Sequence, residues 1–159
     1  MIDPNIDAVA RSLNDADQPH ASFRALDAAL KASVGHILFT ILISHHEIKQ
    51  SERIYTNMPV DYPVGGTKPI KDTGWTRLLL DEGQPYIGRT KEDIAWAFYD
   101  HALIHSLGCE SVLNMPVRWR GRTIGTINLL DRANAYDETQ IPIVRALAQM
   151  ALPAMLSIA

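Results

Sequence analysis

Hydrophobic positions recur along this chain with two different periods, and the switches between them predict its elements. Ile6, Val9, Ala10 and Leu13 repeat at i, i+3, i+4 and i+7, the apolar stripe of a short amphipathic helix. Phe23, Leu26, Leu30 and Val34 repeat the stripe in a second helix, with Gly35 as its stop. Asn14 to His20 holds Pro19 and several turn formers and separates the two. Ile37 to Ile43 then reads as a strand, apolar on both alternating sets and interrupted only by Thr40. A strand of that kind is covered on both faces. Glu52 to Thr56 alternates around Ile54 and is expected to pair with it as a hairpin, through the polar turn Ser44 to Ser51.

Asn57 to Gly74 breaks both periods with Pro59, Pro63, Pro69, Gly65 and Gly66. A loop of this length inside a compact domain is usually functional or mobile. Thr73 starts a short helix carrying Trp75, Leu78 and Leu79, and Gly83 ends it. Pro85 to Gly88 predicts a short strand, and Lys91 to Leu107 a helical region. Cys109 to Val117 and Arg122 to Leu130 alternate strictly and are joined by Trp119-Arg120-Gly121, read as a three-residue hairpin loop with Gly121 left-handed. Pairing Arg118 with Arg122 sets Asn114 opposite Thr126 and Val112 opposite Asn128. One face then carries Leu113, Met115, Ile127 and Leu129, and the other Glu110, Val112, Asn114, Thr126 and Asn128. The first is a core face; the second is unusually polar. Thr139 to Ile158 predicts a long final helix, kinked or ended by Pro153. Its apolar residues Val144, Leu147, Ala148, Ala151, Leu152, Met155 and Ile158 fill more than one stripe, which predicts helices of two copies packing together. The order of elements is that of an α+β domain on an antiparallel sheet. Residues 1–20 read as an N-terminal helix and linker, and 21–159 as the domain.

Composition narrows the function classes. The 159 residues hold 15 Lys+Arg against 18 Asp+Glu, 47% apolar and 21% charged. That is ordinary for a globular domain and too apolar for a disordered one. A net charge of −3 argues against a nucleic-acid partner. The single cysteine, Cys109, excludes a disulfide scaffold and fits a reducing compartment. No signal segment is visible and the longest apolar run is far short of a membrane span, so a cytoplasmic chain is expected.

Two segments resemble the GAF family of small-molecule sensor domains. One is the helix-to-strand entry Val34-Gly35-His36-Ile37-Leu38-Phe39-Thr40; the other runs from Leu107-Gly108-Cys109-Glu110-Ser111-Val112 through Pro116 and Gly121 to Gly125-Thr126-Ile127-Asn128-Leu129-Leu130. The resemblance extends from about Phe23 to Leu156. It implies a six-stranded antiparallel sheet of profilin-like form. The terminal helices would lie on one face, with a ligand pocket under loops and helices on the other. Asn114, Thr126 and Asn128 would look into that pocket. Ligands in the family include cyclic nucleotides, tetrapyrroles, haem, 2-oxoacids and amino acids, and a few members reduce free methionine sulfoxide with cysteines. This chain lacks the cyclic-nucleotide signature, the spaced cysteines of the reductases, and a Cys beside a His for bilin attachment, so none of those ligands carries over.

The chemistry-bearing residues are few. Arg53 and Tyr55 flank Ile54, and with Ile54 toward the core both point to the pocket, where the planar fork of Arg suits a carboxylate. The alternative is an edge-strand Arg beside a packing aromatic. Tyr62-Pro63-Val64-Gly65-Gly66-Thr67-Lys68 lacks phosphate-loop spacing, but Gly65-Gly66 permits a tight turn that folds over a pocket. Tyr62, Lys68 and Trp75 would then stand near its mouth, although a Trp is often simply a core anchor. His101 and His105 share one side of a helix and face the pocket or solvent, according to which side meets the core. Asp100, as a cap at a new helix start, would break that phase. The His pair suits zinc, but the zinc-protease motif needs Glu where Ala102 stands, so neither metal nor cofactor is expected. Cys109 reads as a buried packing thiol on the core face, and His45 and His46 as solvated.

These readings converge on a dimeric small-molecule sensor for a polar or anionic metabolite. Arg53 and Lys68 would supply charge, and Tyr55, Asn114, Thr126 and Asn128 hydrogen bonds. One domain occupies nearly all of the length, so an output protein is expected in trans. The alternative is a small-metabolite enzyme, with His101 or His105 moving a proton beside Asp100 and Tyr55. A third is a dimerisation module without a pocket.

Overall fold

The structure is a computed structural model that describes residues 1–159. Helix α1 (Pro4–Ser12) opens on Asp3, whose carboxylate accepts the Asn5 N–H at 2.8 Å. Pro4 at the first position lacks a donor the helix leaves unpaired anyway. α1 packs on α2 (His20–Ser33) and places Val9 in the main core. Six strands follow: β1 (Leu38–His45), β2 (Gln50–Thr56), β3 (Thr67–Pro69), β4 (Tyr86–Gly88), β5 (Ser111–Trp119) and β6 (Arg122–Asp131). They form one antiparallel sheet in the order β3-β2-β1-β6-β5-β4. Both edges are three residues long and one ends in Pro69, which blunts them against further pairing. The non-periodic loop thus contains one strand, β3.

The sheet is covered on both faces, as the two-sided apolar pattern of β1 requires. On one face α1, α2, α6 (Ile141–Gln149) and α7 (Leu152–Leu156) enclose the larger core, with Phe39, Ile41, Ile43, Leu113, Met115, Ile127 and Leu129 from the strands. On the other face a smaller core gathers Leu38, Tyr62, Ile94, Ile104, Cys109, Val112 and Leu130. Its covers are the loop after β2, the turn α3 (Gly74–Thr76) with its wider continuation Arg77–Asp81, α4 (Lys91–Ala97) and α5 (His101–Ser106). Thr73 and Thr90 cap α3 and α4 with their hydroxyls, which is why both helices begin where they do.

Four expectations are corrected. The β5–β6 hairpin turns on two residues, Arg120 (φ 52) and Gly121 (φ 75), with Trp119 opposite Arg122. Two left-handed residues make the turn whose twist matches a hairpin. A bulge before Arg118 then slides the ladder, so Asn114 faces Asn128 and Pro116 faces Thr126. The slide is an even one, so each residue keeps the face that alternation assigns it. Cys109 precedes β5 and lies in the smaller core, not the larger. The region 91–107 is two helices, because Phe98 turns extended (φ −128, ψ 128). The last helix breaks at Met150–Ala151, and its Val144, Leu147, Ala148, Ala151 and Met155 are buried within the chain's own core. The apolar surplus read as a partner surface is therefore mostly spent internally.

Candidate functional site

The smaller core does not fill its face of the sheet. Beside it lies a cavity of about 390 Å³ between the sheet and its covers. That is near the lower end for small-molecule sites. Its floor is the middle of the sheet, where Thr40, Leu42 and Ser44 of β1 meet Thr126 and Asn128 of β6. Its walls include Trp75 and Phe98, whose rings meet edge to face at 5.6 Å. The loop carrying Gly65, Gly66 and Lys68 closes one side, and Tyr99 and Asp100 between α4 and α5 another.

A bulge decides which side chains of β2 enter. Tyr55 pairs with Ile41 but Arg53 pairs with Leu42, leaving Ile54 as the extra residue. Arg53 and Tyr55 therefore face opposite sides. Arg53 joins the cavity lining beside Leu42. Tyr55 falls among the helices, edge-on to Phe23 and Phe39, and donates its hydroxyl to Asp27 at 2.7 Å. The same Asp27 carboxylate lies 3.0 Å from Nε2 of the buried His36. Tyr55 is thus a link to α2 and lies outside the cavity, contrary to the expectation that placed it there.

Arg53 is held on three sides. It donates to the Pro63 carbonyl at 2.8 Å, its guanidinium lies 3.7 Å from the centre of the Tyr62 ring, and Asp100 stands 4.0 Å away. Tyr62 donates its hydroxyl to Asp100 at 2.6 Å. Burial, and then the charge of Asp100, push the Tyr62 phenol well above its ordinary value, so it remains a donor at any working pH. Lys68 lies over the exposed ring of Tyr99 at 4.3 Å. With Lys71 also in the lining, three cations meet one carboxylate, so the cavity is net positive.

The floor carries a directed chain of hydrogen bonds. The Trp75 indole donates to Asn114 Oδ1 at 3.0 Å, Asn114 Nδ2 to Asn128 Oδ1 at 2.7 Å, and Asn128 Nδ2 to the Thr40 hydroxyl at 3.2 Å. Asn114 lies beneath the lining rather than in it. The hydroxyl of Thr126, a residue only 2% exposed, has no partner at all.

Of the residues read from the sequence, the cavity brings together Arg53, Tyr62, Lys68, Trp75, Asp100, Thr126 and Asn128. It leaves out Tyr55, Asn114, His101 and His105. The two imidazoles lie side by side on α5 with centroids 5.6 Å apart and planes tilted by 55°, while Ile104 between them faces the cavity. No group of three or more His, Cys, Asp or Glu residues is placed to hold a metal ion. Cys109 is fully buried, and burial pushes its thiol up to about 12. Sequence reasoning missed Thr40, Lys71, Phe98 and Tyr99. Thr40 had a visible signal, the one polar residue interrupting an apolar strand.

A family model for the GAF domain matches residues 23–154. Among solved structures, the GAF domain of an Acinetobacter phosphoenolpyruvate-protein phosphotransferase superposes with a TM-score of 0.73 at 11% identity, over 98% of this chain and 95% of that one. The GAF domain of a two-component sensor histidine kinase from Bacillus halodurans gives 0.69 at 15%, over 86% and 92%. A free methionine-R-sulfoxide reductase from Neisseria meningitidis, solved with its substrate, gives 0.68 at 15%, over 99% and 93%. At such identities the likeness shows the fold. A search of curated protein sequences finds no match. No helix is long and apolar enough to cross a membrane.

Proposed function

The chain belongs to the GAF domain family of small-molecule-binding sensory and regulatory domains, and from that premise we infer that its cavity takes a small anionic metabolite. The observation that supports this reading is the cavity itself, with Arg53, Lys68 and Lys71 set against the single carboxylate of Asp100. Tyr62 and Asp100 hold Arg53 in place before any ligand arrives, which lowers the ordering cost of binding. Trp75 and Phe98 give an organic body something to pack against.

In this reading binding is reported through the helical face. Two copies pair through the terminal helices, where Ile2, Leu156 and Ile158 remain exposed. Mass spectrometry of the protein as purified, followed by calorimetric screening of small organic acids against neutral analogues, tests the ligand class. Binding of acids that is weakened at least tenfold by Arg53→Met is expected. A chain that binds no acid, or binds neutral analogues equally well, refutes the reading. Light scattering on the eluting protein tests the dimer, and a monomer mass at every concentration removes it.

A further inference from the structure

Resting on that reading, we propose that occupancy of the cavity is passed through the sheet to the end of α6, along one chain of hydrogen bonds that runs from the cavity wall to Gln149.

The chain begins at the wall. Trp75 and Leu80, both in the lining, belong to the continuous segment Gly74–Asp81. Its second half is wound wider than an α-helix, with the Glu82 N–H reaching back to the Arg77 carbonyl at 2.9 Å. Wide turns of this kind are rare and recur at functional sites. An α-helical turn would bring the Gly83 N–H to the Leu79 carbonyl. Here the Thr123 hydroxyl takes that carbonyl instead, from β6, at 2.6 Å. Thr123 is fully buried, and its hydroxyl is used twice. A carbonyl only accepts and a guanidinium only donates, so the hydroxyl must donate to Leu79 and accept from Arg118 Nη1, at 2.7 Å. The two bonds strengthen one another.

Arg118 carries the link across the sheet. At the β5–β6 bulge Val117 faces Gly125 but Arg118 faces Thr123, so the ladder is interrupted there. Gln149 fills the interruption from the helical face. Its Oε1 receives the Arg118 N–H at 2.6 Å, and its Nε2 donates to the Arg118 carbonyl at 3.0 Å. One residue is thus held at its peptide groups by α6 and at its side chain from the cavity side. Gln149 is the last residue of α6, directly before the break at Met150–Ala151. A ligand that displaces the wall moves Leu79, and the displacement is delivered at the break between the two terminal helices. Such coupling is reciprocal, so Gln149 in turn sets the stiffness of the cavity wall.

A connected chain is a route only when each end responds to the other. Hydrogen exchange on the whole chain, read by mass spectrometry over residues 74–84 and 145–151, tests this without any ligand. Gln149→Leu removes both bonds to Arg118 and is expected to speed exchange in 74–84, on the far side of the sheet, by about threefold or more. Thr123→Val is expected to do the same in 145–151, and Thr123→Ser to restore the parent rate. Amides of β1, whose pairing neither variant touches, are the control and are expected to keep their parent rates. Leu80→Phe loads the wall from the cavity; it is expected to alter exchange in 145–151 of the parent and not in the Thr123→Val background. Responses confined to the mutated side, or β1 accelerated as much as the two segments, overturn the route. So does an effect of Leu80→Phe that persists without the Thr123 hydroxyl. The anion site is independent of every one of these results and stands or falls on the acid screen.

Discussion

Trp75→Phe isolates the hydrogen bond that ties the cavity wall to its floor. The substitution keeps an aromatic ring against Phe98 and deletes the N–H that reaches Asn114. Asn114 is fully buried, and no second donor to its Oδ1 stands in the structure to replace the indole. A buried acceptor left without a partner costs ~1–3 kcal/mol. Trp75 itself is half-buried, so some water entry at the gap is expected, which sets the loss at about 1.5 kcal/mol. With a urea dependence of about 2 kcal/mol per molar, the unfolding midpoint should fall by roughly 0.7 M with an unchanged slope. The same substitution in an Asn114→Ala background should cost less than about 0.5 kcal/mol, since the acceptor is already gone. A single variant whose midpoint stays within about 0.2 M of the parent refutes the bond as a structural tie, and so does equal loss in both backgrounds.

Three further outcomes follow from the packing and the titrations. Gly125→Ala sets a Cβ 2.1 Å from the Leu42 carbonyl oxygen and 2.4 Å from the Met155 methyl, where β1, β6 and α7 meet. The overpacking should cost about 3 kcal/mol and lower the melting temperature by roughly 10 °C; a variant melting within about 2 °C of the parent contradicts the close approach. Cys109, with its thiol pushed up from 9.0 to about 12, should react with a thiol reagent at neutral pH only as fast as the chain opens, and its labelling without denaturant at the rate of a free thiol would disprove the burial. Tyr62, Tyr136 and Cys109 are all shifted upward, chiefly by burial, so the folded chain keeps protons that the unfolded chain releases. Their stabilisation is complete below about pH 9 and lost as pH rises beyond it, so urea midpoints should fall from pH 8 to 11, and a flat or rising series refutes the sign.

The sheet was legible where the chain obeys a period. The two-sided strand β1, the core face of β5 and β6, and the polar set Thr126 and Asn128 all follow from alternation, which survives any even slide of register. What alternation misses is a single extra residue. Ile54 separates Arg53 from Tyr55, and nothing in its side chain announces a bulge. Arg120 adopts a left-handed conformation that its residue type does not advertise, which shortens the hairpin turn by one. The helix break at Phe98–Asp100 has neither Gly nor Pro, so a single helical phase read from Lys91 to Leu107 runs unmarked through a corner. Asp100 stands at the cap position of α5 yet makes no cap bond, because Tyr62, distant in sequence, takes its carboxylate. Such partners come from the fold, not from the spacing.

The bulge at Ile54 also governs how this chain is to be aligned. With Ile54 removed, a regular ladder would still set Arg53 beside Leu42 and Tyr55 beside Ile41, so both side chains would keep their present faces. A relative one residue shorter at that point would keep the same cavity. A gap placed one column earlier within β2 would instead match that relative's cavity arginine to Ile54, which packs against the helix-covered core, and one column later would match its helix-facing tyrosine to Ile54. For domains that share as little as 11–17% of their residues, the gap in this strand has to be placed by the pairing with β1 before any cavity residue is transferred.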